Sequence, residues 1–85
     1  MTIWWAPRKS EWLKRTRGVS FEEILRGHHI AIEEHPKRPN QKPLLFELEG
    51  YIWSVPYVTA GKEIFLKTAY PSRVYTKKWR RGELE

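Results

Sequence analysis

The chain has 85 residues, with sixteen Lys plus Arg against ten acidic residues, for a formal net charge of +6. Single domains usually run to about 100–150 residues, so one small basic domain spanning 1–85 is expected, and a Rossmann domain, a barrel enzyme or a two-domain cleft is excluded. All ten acids are Glu and there is no Cys, which removes the common Asp-based metal and phosphoryl-transfer sites, disulfides and thiolate zinc; the early apolar run Ile3 to Ala6 is too short for a signal-peptide core, so a soluble protein of the reducing cytoplasm is expected.

The first predicted element is a short helix. Pro7 suits a first helical position, Trp5, Trp12 and Leu13 supply an apolar stripe, and Gly18 ends it. Ser20 and Glu23 then stand at capping-box spacing, with Val19 and Ile24 placed as a hydrophobic staple. This predicts a second helix that buries Phe21, Ile24 and Leu25 and stops at Gly27. From His28 the period changes to two. Ile30 and Ile32 alternate with Ala31 and Glu33 as a strand, and residues 36–43, with their prolines and Asn40, form a loop. Leu44, Phe46 and Leu48 alternate with Leu45, Glu47 and Glu49 in a second strand, and a tight hairpin at Glu49 and Gly50 leads into a third, Tyr51 to Val58.

Trp53 belongs to the core of that third strand, and Pro56 within it predicts a bulge or a solvent-facing edge. Gly61 and Lys62 turn the chain into a fourth strand, Glu63 to Tyr70, from whose exposed face Lys67 projects. Pro71 ends it, and Ser72 or Thr76 caps a last basic helix through about Arg81. The predicted class is α+β: two N-terminal helices, a four-stranded antiparallel meander with one face on the helices, and a C-terminal helix.

Charge is unevenly placed. Residues 1–20 carry five cations and one acid, residues 21–65 five cations and seven acids, and residues 66–85 six cations and two acids. A fold that joins the two basic ends makes one positive surface suited to a polyanion such as nucleic acid; the same charges would equally serve as a solvated surface.

Two segments resemble a known family. RGVSFEEI, from Arg17 to Ile24, is similar to an early K-H-G-V-S-F-E-E stretch of BrnT-type toxins, and IFLKTAYPSRVYTKKW, from Ile64 to Trp79, resembles their closing strand, arginine and basic helix. BrnT toxins belong to the RelE-like group of type II toxin–antitoxin systems. The resemblance implies a RelE/BrnT-like fold and a metal-independent endoribonuclease that needs no cofactor, cleaves mRNA, free or on the ribosome, and arrests translation. It also implies a cognate antitoxin protein that neutralises the toxin in a hetero-oligomer.

Metal-free RNA cleavage needs a group to remove the 2′-proton, cations for the dianionic phosphorane and a donor for the leaving 5′-oxygen. Lys67 and Arg73, bracketing the end of the last strand, are the expected cations. RelE-like ribonucleases often use a tyrosine or histidine near the C-terminal end as proton donor, so the resemblance offers that role to Tyr75, with Tyr70 a second candidate, though a ring near a strand end more often packs in the core. Among His28, His29 and His35, His29 is the candidate to reach the open sheet face; capping or plain surface roles are the alternative. Glu47 serves either as a base or in a cross-strand ion pair. Lys77, Lys78, Arg80 and Arg81 are expected to contact RNA phosphates or to form a plain basic helix face. No histidine spacing gives a zinc pattern, so no metal is expected. Of the five tryptophans, Trp4 and Trp5 are assigned to antitoxin docking, with base stacking as the other use of exposed aromatics. Two other functions fit the same residues: a non-catalytic nucleic-acid-binding module, and a protein-only interaction domain with Trp-rich ends.

Overall fold

The computed structural model of the chain describes residues 2–32 and 43–84. Its first element is a strand, β1 (Thr2–Trp5), which precedes the helix that was expected to come first. β1 runs parallel to β5 (Glu63–Leu66), matching Ile3 with Ile64 and Trp5 with Leu66. Alternation along the strand then sends neighbouring tryptophans to opposite faces. Trp5 packs on Phe21 with ring centroids 5.7 Å apart, whereas Trp4 meets Phe65 edge-on at 4.5 Å.

The two N-terminal helices follow the sequence signals. α1 (Pro7–Arg17) begins on Pro7 and closes at Gly18, whose N–H donates to the Lys14 carbonyl. α2 (Phe21–Leu25) carries the capping box: the Glu23 N–H donates to Ser20 Oγ at 3.2 Å and the Ser20 N–H donates to Glu23 Oε1 at 3.1 Å. Buried Ser10 pins the helices together, accepting from the Phe21 N–H at 3.0 Å and donating to Glu22 Oε1 at 2.7 Å. α2 is only five residues long, and Gly27 follows it where a Cβ would lie 2.6 Å from the Glu47 carbonyl oxygen. Only a residue without a side chain lets the backbone pass that close to its neighbour.

Next come β2 (His28–Ile32), β3 (Pro43–Leu48) and β4 (Tyr51–Ala60), paired antiparallel in sequence. The sheet order is β1-β5-β4-β3-β2, with β6 (Tyr70–Pro71) also beside β4. The expected four-stranded antiparallel meander of RelE/BrnT-like type is therefore incorrect. Among the described residues the fold is a mixed, strand-rich sheet of six strands with three short helices.

Two physical causes account for the difference. The parallel partner of β1 lies near the other end of the chain, so no local periodicity signals it. The run from Glu63 to Tyr70 is broken because Leu66 faces Tyr57 and Tyr70 faces Ser54, leaving three residues, Lys67 to Ala69, opposite Val55 and Pro56. The Pro56 carbonyl accepts from the Lys67 N–H at 3.0 Å, but proline has no N–H to return, and the ladder bulges there.

The main core lies between one sheet face and the first two helices, with Leu44, Phe46, Trp53, Val55, Tyr57 and Leu66 against Leu13, Phe21 and Ile24. On the opposite face Leu45, Ile52 and Ser54 are fully buried, and α3 (Arg73–Arg80) packs on β4. A hydrogen-bonded ring fixes that helix to the strand edge. The Ile52 N–H donates to Thr76 Oγ1 at 2.9 Å, Thr76 Oγ1 donates to the Ser72 carbonyl at 2.6 Å, and the Ser72 N–H donates to the Ile52 carbonyl at 2.8 Å. Ser72 is the cap of α3, accepting from the Tyr75 N–H at 3.2 Å, while Thr76 is committed to the strand.

Of the predicted loop over 36–43, residues 36–42 and the neighbouring His35 lie outside the described residues, and Pro43 instead opens β3. No helix among the described residues is long and apolar enough to cross a membrane.

Candidate nucleic-acid interface

The hairpin between β3 and β4 forms the centre of the site. Its two turn residues both have positive φ, +53° at Glu49 and +81° at Gly50, the geometry of a two-residue turn whose twist matches paired strands. The Gly50 N–H donates to Glu47 Oε2 at 2.9 Å, and Arg80 Nη2 donates to the Gly50 carbonyl at 3.4 Å. Glu47 is thus committed to its own turn. The half-buried side chain of Tyr51 opens at this end of the sheet, next to Arg73, Thr76, Lys77 and Arg80 around a groove of about 360 Å³.

Helical spacing explains the convergence. Arg73, Lys77 and Arg80 are four and three residues apart and share one face of α3. The first turn of α3 contains no acid, so its positive dipole end adds to the Arg73 charge.

Tyr51 also borders a second groove of about 400 Å³, shared with Arg17, Val19, Trp53, Glu49 and Pro71. Arg17, the last residue of α1, is held from three sides. Its Nη1 donates to Thr68 Oγ1 at 3.3 Å and to the Ala69 carbonyl, and its guanidinium carbon lies 5.0 Å from the Trp12 ring centroid. Lys9 sits over the same ring at 3.9 Å. The two grooves meet at Tyr51 and place a tyrosine between Arg17 on one flank and three cations of α3 on the other. Cations along an aromatic floor can neutralise phosphates and accept a flat base.

The structure distributes the sequence candidates unequally. Arg73, Lys77 and Arg80 come together, while Arg81 caps the exposed C-terminal end of α3. Lys78 lies with its ammonium 5.8 Å from the Tyr75 ring. Tyr75 is half-buried and two residues from both Arg73 and Lys77, which places it about 160° around the helix from each of them. Lys67 is exposed on the bulge. Its N–H and that of Ser72 bond to Pro56 and Ile52 on the same edge of β4, so Lys67 and Arg73 are anchored about 13 Å apart along the strand. His29 is exposed on β2, its ring 5.1 Å from Phe46, and borders neither groove. Trp4 is 47 % exposed, whereas Trp5 leans into the core.

Sequence reasoning missed Arg17 and Tyr51. Arg17 stands in the segment that carries the first resemblance and was part of the basic N-terminal run. Tyr51 immediately follows the Glu49-Gly50 turn, and an aromatic at a hairpin mouth beside basic ends was the available signal.

A further depression of about 500 Å³ between α1 and α2 has the opposite character, with Glu11, Glu22 and Glu23 around Lys14. The Lys14 ammonium, 2.8 Å from Glu23, and the Ser20 N–H hold the Glu23 carboxyl below its ordinary range. These carboxylates repel a polyanion, in contrast to the α3 groove, whose charged lining residues are all cations. Among the described residues no three His, Asp, Glu or Cys side chains gather in a metal-binding group. No family model, curated protein or solved structure matches the chain.

Proposed function

We propose that the protein is the toxin of a type II toxin–antitoxin pair, a metal-independent endoribonuclease that cleaves mRNA in the cytoplasm and is neutralised by a cognate antitoxin protein. One observation carries the reading. The two segments that resemble BrnT-type toxins, far apart in sequence, supply Arg17 to one groove and Arg73 and Lys77 to another, and both grooves are bordered by Tyr51. In the reaction the 2′-hydroxyl gives its proton to solvent water and bonds to phosphorus. The P–O5′ bond breaks and the leaving oxygen takes a proton from water, so the upstream product ends in a 2′,3′-cyclic phosphate. Arg73 and Lys77 contribute charge stabilisation to the phosphorane, for which the guanidinium offers two parallel N–H donors. Lys67, Tyr75 and His29 stand outside the groove and take no step in this scheme. Trp4, exposed on Phe65, is the docking residue for the antitoxin.

The test is cleavage of RNA by the purified protein in excess EDTA, with end-group analysis. The expected products carry cyclic phosphates, and Arg73→Ala slows their formation about 10²- to 10³-fold. Cleavage abolished by the chelator, or equal in the variant, overturns the mechanism. Salt-sensitive binding without cleavage assigns the groove to a non-catalytic nucleic-acid-binding module instead.

A further inference from the structure

We infer that Tyr51 is a stacking platform for one unpaired base of a single-stranded RNA, with the flanking phosphates held by Arg17 on one side and by Arg73, Lys77 and Arg80 on the other. The inference rests on the groove being an RNA site and adds which form of RNA it takes and which residue selects it.

Tyr51 is the one residue that both grooves share. Its backbone is fixed at the hairpin mouth by pairing with Leu48, and the adjoining Gly50 is tied by Glu47 and Arg80. Trp53 and Pro71 border the Arg17 side, and Arg73 and Lys77 border the other. Tyr51 therefore borders both grooves, one in which Arg17 stands with Glu49 and one that carries three cations of α3. A nucleic-acid strand fits that arrangement with a base in the middle and its backbone at the sides. In a duplex the bases are stacked inside and the phosphates lie outside, so a duplex offers the ring no base face. An unpaired nucleotide has no such obstacle. Because every base offers a π-face, the ring selects for strandedness and tolerates sequence. Arg17 is prepositioned by Trp12, Thr68 and Ala69 before any ligand arrives, which lowers the ordering cost of binding a phosphate there.

The probe is a fluorescent 2′-O-methyl oligouridine of about eight residues, which cannot be cleaved and matches the span of a small single-strand site. Its affinity for the full chain is compared with that of the same oligomer made abasic at its central positions and of an RNA duplex of equal charge. The abasic oligomer and the duplex are expected to bind about 5- to 100-fold more weakly, the range of one base–aromatic stack. Tyr51→Leu keeps apolar bulk but no π-face. It should weaken the oligouridine by a similar factor, erase discrimination against the abasic form and leave the salt slope unchanged. Arg73→Ala should instead lessen the slope by about 0.7 for each phosphate that the arginine had neutralised. Tyr51→Phe should bind like the parent.

Equal binding of intact and abasic oligomers by the parent chain overturns the stacking role while leaving the basic groove as an RNA site. Should Tyr51→Leu fail to fold by circular dichroism, that comparison in the parent chain decides alone. Failure of all three probes to bind overturns both this inference and the ribonuclease reading.

Discussion

Replacing Thr76 by valine tests the coupling between fold and site. Thr76 is 2 % exposed, and its hydroxyl accepts from the Ile52 N–H at 2.9 Å while donating to the Ser72 carbonyl at 2.6 Å. Valine has nearly the same shape but no polar atom. The Ser72 carbonyl keeps the Thr76 N–H at 3.0 Å, so the main casualty is the Ile52 N–H, a buried donor left without its acceptor. Such a group costs about 1–3 kcal/mol. For a domain of this size each kcal/mol moves Tm by about 4–8 °C, so a loss of about 2 kcal/mol predicts a fall of about 8–16 °C in thermal unfolding followed by circular dichroism. Thr76→Ser retains the hydroxyl, loses one methyl group and should cost about 1 kcal/mol. Because the ring through Thr76 also sets where Arg73, Lys77 and Arg80 lie, the valine variant should bind RNA more weakly even below its new Tm. A valine variant melting within about 2 °C of the parent, or a serine variant as impaired as the valine one, would falsify this account of the α3 anchor.

Two other substitutions probe polar groups. Ser54 is fully buried on β4, and its Oγ has no hydrogen-bond partner among the described residues. Ser54→Ala should therefore leave stability unchanged or raise it by up to about 1 kcal/mol in urea unfolding, and a clear loss would reveal a partner for the hydroxyl. Glu23 has its carboxyl pKa held below the ordinary 4.5 by Lys14 first and by the Ser20 N–H second. A depressed folded-state pKa adds stability above the unfolded value and loses it as pH falls through the folded one. Glu23→Gln should thus lower Tm near neutral pH, and the gap should close progressively as the solution is acidified below 4.5; a gap that persists in acid refutes the charge argument.

Much of the helical structure was legible because its signals are local. Ser20, Glu23, Pro7 and Gly18 each act within one turn of the backbone, and all four take the roles their spacing implies. The hairpin at Glu49 and Gly50 was readable for the same reason. β1 was not, since Thr2–Trp5 has only four residues and gains its identity from pairing with Glu63–Leu66 at a long chain separation. The break between β5 and β6 is written in Pro56, but on the strand opposite, so its effect on Lys67 to Ala69 appears only once the register is known. That displacement bears on the site directly. Counted along the chain, Lys67 and Arg73 look like neighbours at a strand end, yet the bulge gives them separate anchor points on β4. Arg17 and Tyr51 join the site through the meeting of α1, the hairpin and α3, which no single stretch of sequence contains.

The length of β4 has a consequence for control of the molecule. Tyr51 starts that strand, and Val58, whose cross-strand partner Phe65 carries Trp4, lies seven residues further along it. At strand rise this is about 23 Å, a large part of the 34 Å long axis. Under the function proposed above, an antitoxin gripping the tryptophan end alone would leave the tyrosine mouth unobstructed. Steric cover of both would demand an elongated ligand or a two-point clasp, and in the latter case its strength would be governed by the tether joining the two points as much as by either foothold.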